Sequence, residues 1–486
     1  MGIFASCSNA LLRFLALGPA KEYYYTQQPL PLGDIALHHK TGTNVYPETV
    51  STGFQCQYPA MEGWESCNGP ESRDCWLKDA ESDQPIFSQY DINTNYEDSW
   101  PQGIQREFWL NVTDQTISPD GYLKPEGKVF NNSYPGPLIE ACWGDDITIH
   151  VTNYVKTNGS TVHWHGIRQL HTNEADGVNG VTQCPIATGE SYTYNFKAIQ
   201  YGHSWYHSHY SLQYPDGVAA PLLIHGPSSA NWDYAWDPIL ISDWSHNSAF
   251  ADFEAELNGT PGGPVMQTVV LNGTVAWEVD TQAVNDVLNN TFEADIDTVS
   301  THGAFRWDLT DIPLWLNFSS PTILNLANTT FNTEYAIVEE NYNRGYVYLV
   351  ITSQLLFKNE TKRFIPAAHP IHLHGHDFVI LAQSLDPYNV TTSPKTFNFN
   401  NPPRRDVALL PGGGYLAIAF KPDNPGVWLV HCHIAWHASS GLALQILERQ
   451  EDIEGTIGSL NATRETCKGW DGWLEGHVVD QDDSGI

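Results

Sequence analysis

Apolar and polar residues alternate in short runs along most of this chain. The segments Asp146-Ile-Thr-Ile-His-Val-Thr152 and Ser191-Tyr-Thr-Tyr-Asn-Phe196 place apolar side chains at every second position. That is the period of a strand buried on one face. Turn-forming Pro, Gly and Asn separate such runs, and long patterns of helical period are few. The pattern predicts an all-β architecture of packed sandwiches. Its spacing divides the chain into an N-terminal extension over 1–66, a first β block over 67–227, a stretch over 228–302, a second β block over 303–455 and a tail over 456–486. The stretch 228–302 is too short for a further sandwich of about 100 or more residues. Its part from 275 to 302 is acidic and holds no Lys or Arg, as a solvated connector would.

Charge then removes whole classes of function. The chain has 486 residues with 23 Lys and Arg against 56 Asp and Glu, a net charge of −33. A surface this acidic repels phosphate backbones and anionic lipid, which argues against nucleic-acid and membrane-surface roles. No uncharged apolar run approaches the ~18 residues of a membrane-spanning helix. Eleven Asn-x-Ser/Thr sequons (Asn111, Asn131, Asn158, Asn258, Asn272, Asn289, Asn317, Asn328, Asn359, Asn389 and Asn461), together with the acidity, point to a secreted glycoprotein. The apolar run from Ala10 to Leu17 is interrupted by Arg13 and makes a poor signal peptide. The eight cysteines, at 7, 56, 67, 75, 142, 184, 432 and 467, show no zinc-finger spacing.

The chemistry is concentrated in an internal repeat. His163-Trp-His165-Gly166 in the first block is echoed by His372-Leu-His374-Gly375 in the second. Trp205-Tyr-His207-Ser-His209 is echoed by Trp428-Leu-Val-His431-Cys432-His433. The same two-part pattern in the same order implies a duplicated domain. Residues i and i+2 of a strand share a face, so each His-x-His presents two imidazoles side by side. Eight imidazoles without carboxylates select copper or zinc over magnesium or calcium. A single such pair on a solvated strand would be unremarkable surface; four pairs in a duplicated order are not.

Cys432 separates the two metals. It lies between His431 and His433, so its sulfur faces the opposite side of the strand from both imidazoles. With His437 five residues on and His369 ahead of the second-block pair, one thiolate and two imidazoles form the ligand set of a blue-copper site.

Four motifs carry a resemblance to a known family. They are Thr161-Val-His-Trp-His-Gly-Ile167, Trp205-Tyr-His-Ser-His209, His369-Pro-Ile-His-Leu-His-Gly-His376 and His431-Cys-His-Ile-Ala-Trp-His437. They resemble the copper signatures of multicopper oxidases. The segments Asp91-Ile-Asn-Thr-Asn-Tyr96, Pro403-Arg-Arg-Asp-Val407, Asp423-Asn-Pro-Gly-Val-Trp428 and Asp483-Ser-Gly-Ile486 are more narrowly similar to ascomycete fungal laccases. The likeness covers about 67–275 and 303–486. It implies cupredoxin-like Greek-key sandwiches and four copper ions. The type 1 ion would take His369, Cys432 and His437; the type 2 ion His163 and His372; the type 3 pair His165, His207, His209, His374, His431 and His433.

The axial position, ten residues after the type 1 cysteine, is Leu442, which cannot ligate. A three-coordinate apolar site of that kind tends to raise the copper potential. The resemblance also implies proton supply through Ser211, Ser439 and Asp483, a donor pocket with Phe305, Trp307 and His437, and disulfides Cys184–Cys467 and Cys67–Cys75. Cys7, Cys56 and Cys142 are left without assigned partners, and His376 and His203 without a ligand role. The partners implied are O2 and small phenols or aromatic amines, and the family expectation is a monomer. A ferroxidase or ascorbate-oxidase type of enzyme, or a catalytically dead copper-binding paralogue, are the alternatives.

One feature departs from the family. Val269-Val-Leu-Asn-Gly-Thr274 resembles the entry to a middle cupredoxin domain, and Phe305-Arg-Trp-Asp308 already resembles the entry to the third. Most of the middle domain is therefore expected to be missing. Surfaces it would have covered favour self-association.

Overall fold

The computed structural model describes residues 54–81, 89–233, 235, 237–257, 264, 266–278, 306–309, 312–341, 345–353, 368–479 and 481–486. The first block contains two four-stranded sheets. One joins Lys124–Phe130, Gln105–Ile117, Asp146–Asn153 and Ser191–Lys197 in that spatial order. The other runs Ile139–Cys142, Ala219–His225, β2 and β1, where β1 is Val162–His165 and β2 is Gly202–Ser208. The alternation in the sequence is realised directly: Ile147, Ile149 and Val151 are buried, and so are Tyr192, Tyr194 and Phe196. These side chains meet Trp164 and Tyr206 from the facing sheet in one apolar core.

The second block repeats the plan with a five-stranded and a four-stranded sheet. The larger is ordered Ile337–Glu340, Ala443–Glu448, β4, β3 and Val407–Leu410, where β3 is His369–Leu373 and β4 is Gly426–Cys432. β4 is central and buried along its whole length. Its residues Val427 to Val430 are apolar without alternation, as befits a strand covered on both faces. Burial of each such Val or Leu stabilises the fold by ~1.5–3 kcal/mol. Val178 and Val181 of the first block enter this second core, so the blocks share apolar packing as well as the site between them.

Within the stretch 228–302, the described residues form a three-stranded antiparallel sheet of Ile241–Trp244, Thr268–Leu271 and Thr274–Glu278. They also form helix α1, Ala249–Leu257. Ala249 and Phe253 of α1 pack on Leu212, Ala435 and Trp436. The rest of the expected connector lies outside the described residues.

Three disulfides staple the described chain: Cys56–Cys142, Cys67–Cys75 and Cys184–Cys467. The first gives Cys56 and Cys142 the partners that spacing did not, and ties part of the extension 1–66 to the first block; Cys7 lies outside the described residues. The last anchors helix α2, Asn461–Leu474, to the first block. The tail is more than a solvated appendage, because Asp483, Ser484 and Ile486 are all buried.

Candidate metal centre

The sheet register sets the site. β1 and β2 run antiparallel with His163 opposite His207, and β3 and β4 run antiparallel with His372 opposite His431. His209, His374 and His433 follow just beyond their strands. The two sets meet across the block boundary: the ring centroids of His163 and His374 lie 4.0 Å apart, as do those of His165 and His372. The potential ligand atoms form three mixed groups of imidazoles alone, namely His163, His372 and His374; His165, His207 and His433; and His209, His374 and His431; a fourth, His165, His372 and Asp406, includes a carboxylate. In each group they lie within 4.8 Å of one another, and each group draws on both blocks.

The donor atoms of these rings are those a metal would need. His163, His207 and His372 each engage a main-chain carbonyl through Nδ1, at 2.8, 2.9 and 2.8 Å. Their Nε2 atoms are buried without a hydrogen-bond partner. His165 is reversed: Nε2 lies 3.1 Å from the Asp406 carboxylate, and Nδ1 is left bare. A carbonyl or carboxylate on one nitrogen fixes the tautomer that presents the lone pair of the other. Orphaned ring nitrogens on this scale are costly unless a bound metal ion satisfies them. Burial, reinforced by crowding with neighbouring imidazoles, holds the pKa of His165, His207, His372, His374 and His431 well below the ordinary value. For His433 the value falls to about 4, again chiefly through burial. Those six rings are therefore neutral and competent to ligate at physiological pH.

Asp176 is a participant that the sequence did not single out. It is fully buried; its main-chain carbonyl accepts from Nδ1 of His163, and its carboxylate lies 2.9 Å from Nδ1 of His374. One residue thus orients a ring from each block. The turn that delivers it needs Gly177, whose φ is +81° and where a Cβ would sit 1.8 Å from the carbonyl oxygen of Val162. A lone Asp in a loop has no spacing signal; the Asp-Gly pair marks only a turn.

On the other face of β4, Sγ of Cys432 lies 3.6 Å from Nδ1 of His369 and 3.6 Å from Nδ1 of His437, with those two nitrogens 3.1 Å apart. A point about 2 Å from all three atoms exists, the reach of nitrogen and sulfur ligands to a small metal ion. Burial pushes the Cys432 thiol up to about 12 and brings His369 and His437 down to about 4 and 3. Leu442 is buried, and its main chain bonds both Cys432 and His437 at 3.0 Å.

The Trp307 ring lies 4.5 Å from that of His437, while Phe305 is outside the described residues. Ser211 donates to the carboxylate of Asp483, bringing together two residues 272 apart in sequence. Ser439 instead donates to the carbonyl of Ile486 at 3.1 Å. His376 donates from Nδ1 to the carbonyl of His374 at 3.1 Å, with its other nitrogen 2.9 Å from Glu448. His203 lies on the wall of a cleft of about 1340 Å³ that also reaches Trp205, His433 and Trp436. That cleft does not include His437.

Multicopper oxidase family models match residues 111–229 and 315–452. A laccase of Arthroderma benhamiae is 34% identical over 603 residues, covering 89% of this chain and 92% of the relative. Laccase-2 of Botryotinia fuckeliana is also 34% identical, covering 88% of this chain and 95% of its own. Among solved structures, the laccase of Botrytis aclada superposes with a TM-score of 0.72 at 34% identity, over 87% of this chain and 100% of the other.

Proposed function

The chain belongs to the multicopper oxidase family as a laccase-like member, and from that premise we propose that it oxidises phenols and aromatic amines by single electrons while O2 is reduced to water. Copper bound at the two sites supplies the electron acceptor for the donor and the centre at which O2 is reduced. In this reading His369, Cys432 and His437 hold the type 1 ion, and His163 and His372 the type 2 ion. His165, His207 and His433 hold one type 3 ion; His209, His374 and His431 hold the other. The observation that carries the reading is the convergence of eight imidazoles, four from each block and all buried except the half-buried His433, six of which have a ring nitrogen without a hydrogen-bond partner.

The chain's own residues divide the work. His437, less buried than Cys432, meets the donor, with Trp307 packed against it. Cys432 is covalently joined to His431 and His433, so one residue of main chain links the two sites. Asp483 holds a proton beside Ser211: burial pushes its carboxyl up to about 6. Reduction of O2 consumes protons, and a group of that pKa releases them near neutrality.

Three disulfides among the described residues support secretion into an oxidising compartment. The 603-residue alignment with the Arthroderma laccase exceeds the 486 residues of this chain, so the relative carries residues this chain lacks. That supports a division into two complete cupredoxin domains and a truncated middle segment. Oxygen uptake by the copper-loaded protein with a phenol, ascorbate and Fe(II) tests the donor class. Uptake with phenols is expected; uptake with Fe(II) alone would replace this reading with a ferroxidase.

A further inference from the structure

We propose that Asn424 is a positioning residue that registers the two ligand-bearing blocks against each other, because its one side-chain amide grips the main chain beside a histidine ligand of each. The proposal rests on the copper reading above. Asn424 is fully buried. One hydrogen of its amide goes to the carbonyl of Arg168 at 2.8 Å and the other to the carbonyl of Gly375 at 3.0 Å. Arg168 follows His165 by three residues, and Gly375 directly follows His374. The amide oxygen of Asn424 accepts from the main chain of His171.

The amide itself has little freedom to shift. The Asn424 main-chain N–H donates to Glu448 at 2.8 Å, and its carbonyl accepts from Nε1 of Trp428 at 2.8 Å. Two further contacts extend the seam between the blocks. Asn173 and Val427 exchange hydrogen bonds at 3.0 Å in each direction, and the Arg168 guanidinium meets Asp423 at 2.6 Å. A planar amide with both donors used has a fixed geometry, and leaving two buried carbonyls unmet is expensive. The trinuclear groups each need rings from both blocks, so their geometry depends on this register. The sulfur site does not, because His369, Cys432 and His437 all belong to the second block.

That asymmetry gives the test. Asn424→Asp keeps the shape and the acceptor but removes both donors and sets a carboxylate oxygen against two carbonyls. Copper per chain and the blue thiolate-to-copper band are measured on the copper-loaded full chain. The expected result is loss of the copper bound outside the sulfur site, with the blue band per chain retained. The milder Asn424→Ser is expected to lose part of the same copper. Full copper content in Asn424→Asp would overturn the proposal. So would parallel loss of the blue band and the other copper in both variants, which would make Asn424 a residue of general stability. A wild-type chain that takes up no copper would instead defeat the copper reading, and this inference with it.

Discussion

Nδ1 of His431 donates to the carbonyl oxygen of Cys432 at 3.0 Å, while the sulfur of Cys432 turns to the other side of the strand, toward His369 and His437. Cys432 therefore serves both sites at once, its carbonyl orienting one ring and its sulfur facing the other two. This explains why the strand that carries His431 and Cys432 is central and completely buried: a shift in it would disturb the two sites together.

Replacing that sulfur separates electron entry from the fold. Cys432→Ser is nearly isosteric and sits in a well-packed core, so the folded chain is expected to survive. Serine supplies no thiolate, and the blue band and donor oxidation should both fall to background. Absorption spectroscopy and a donor assay on the same sample check this; a blue variant would make another cysteine the ligand.

Leu442, the residue that would be axial in the proposed type 1 site, is buried and apolar and is bonded through its main chain to Cys432 and His437. Leu442→Met brings a weak thioether ligand at similar volume. The expected outcome is a lower type 1 potential with the other copper unaffected, read by redox titration of the blue band.

Asp483 gives a pH dependence with a definite sign. Its folded pKa, about 6, is raised above the ordinary carboxylate value of 3.8 by burial. The neutral acid is thus the form the fold prefers, and stability is lost as pH rises from about 4 to 6, by at most ~3 kcal/mol. Asp483→Asn keeps a neutral side chain beside Ser211 and should flatten that slope in denaturant titrations from pH 4 to 7. It also removes the exchangeable proton, and turnover at saturating donor should fall on the order of a hundredfold. An unchanged turnover would take Asp483 out of the proton route.

What could be read from the sequence follows the physics of each element. The pairing of imidazoles and the opposed sulfur were legible because a strand's period of two is rigid, so His-x-His and His-Cys-His specify faces directly. Cores such as Ile147, Ile149 and Val151 were legible for the same reason. Asp176 and Asn424 were not, since each joins segments more than a hundred residues apart and neither belongs to a periodic pattern. The Cys56–Cys142 bridge spans 86 residues, and spacing alone does not choose among partners at that range. The tail, with Asp482 and Asp483 beside Ser484 and Gly485, has the composition of solvated chain; its burial depends on a pocket built by residues far away.

In the proposed function the eight imidazoles and the sulfur site work as one oxidase. The most direct measurement is the ratio of electrons withdrawn from a phenolic donor to O2 consumed, with hydrogen peroxide assayed in the same vessel. Four electrons per O2 and no accumulated peroxide are expected if both blocks hold copper in a single trinuclear site. Two electrons per O2 with stoichiometric peroxide, or no uptake by copper-loaded protein that shows the blue band, would contradict it.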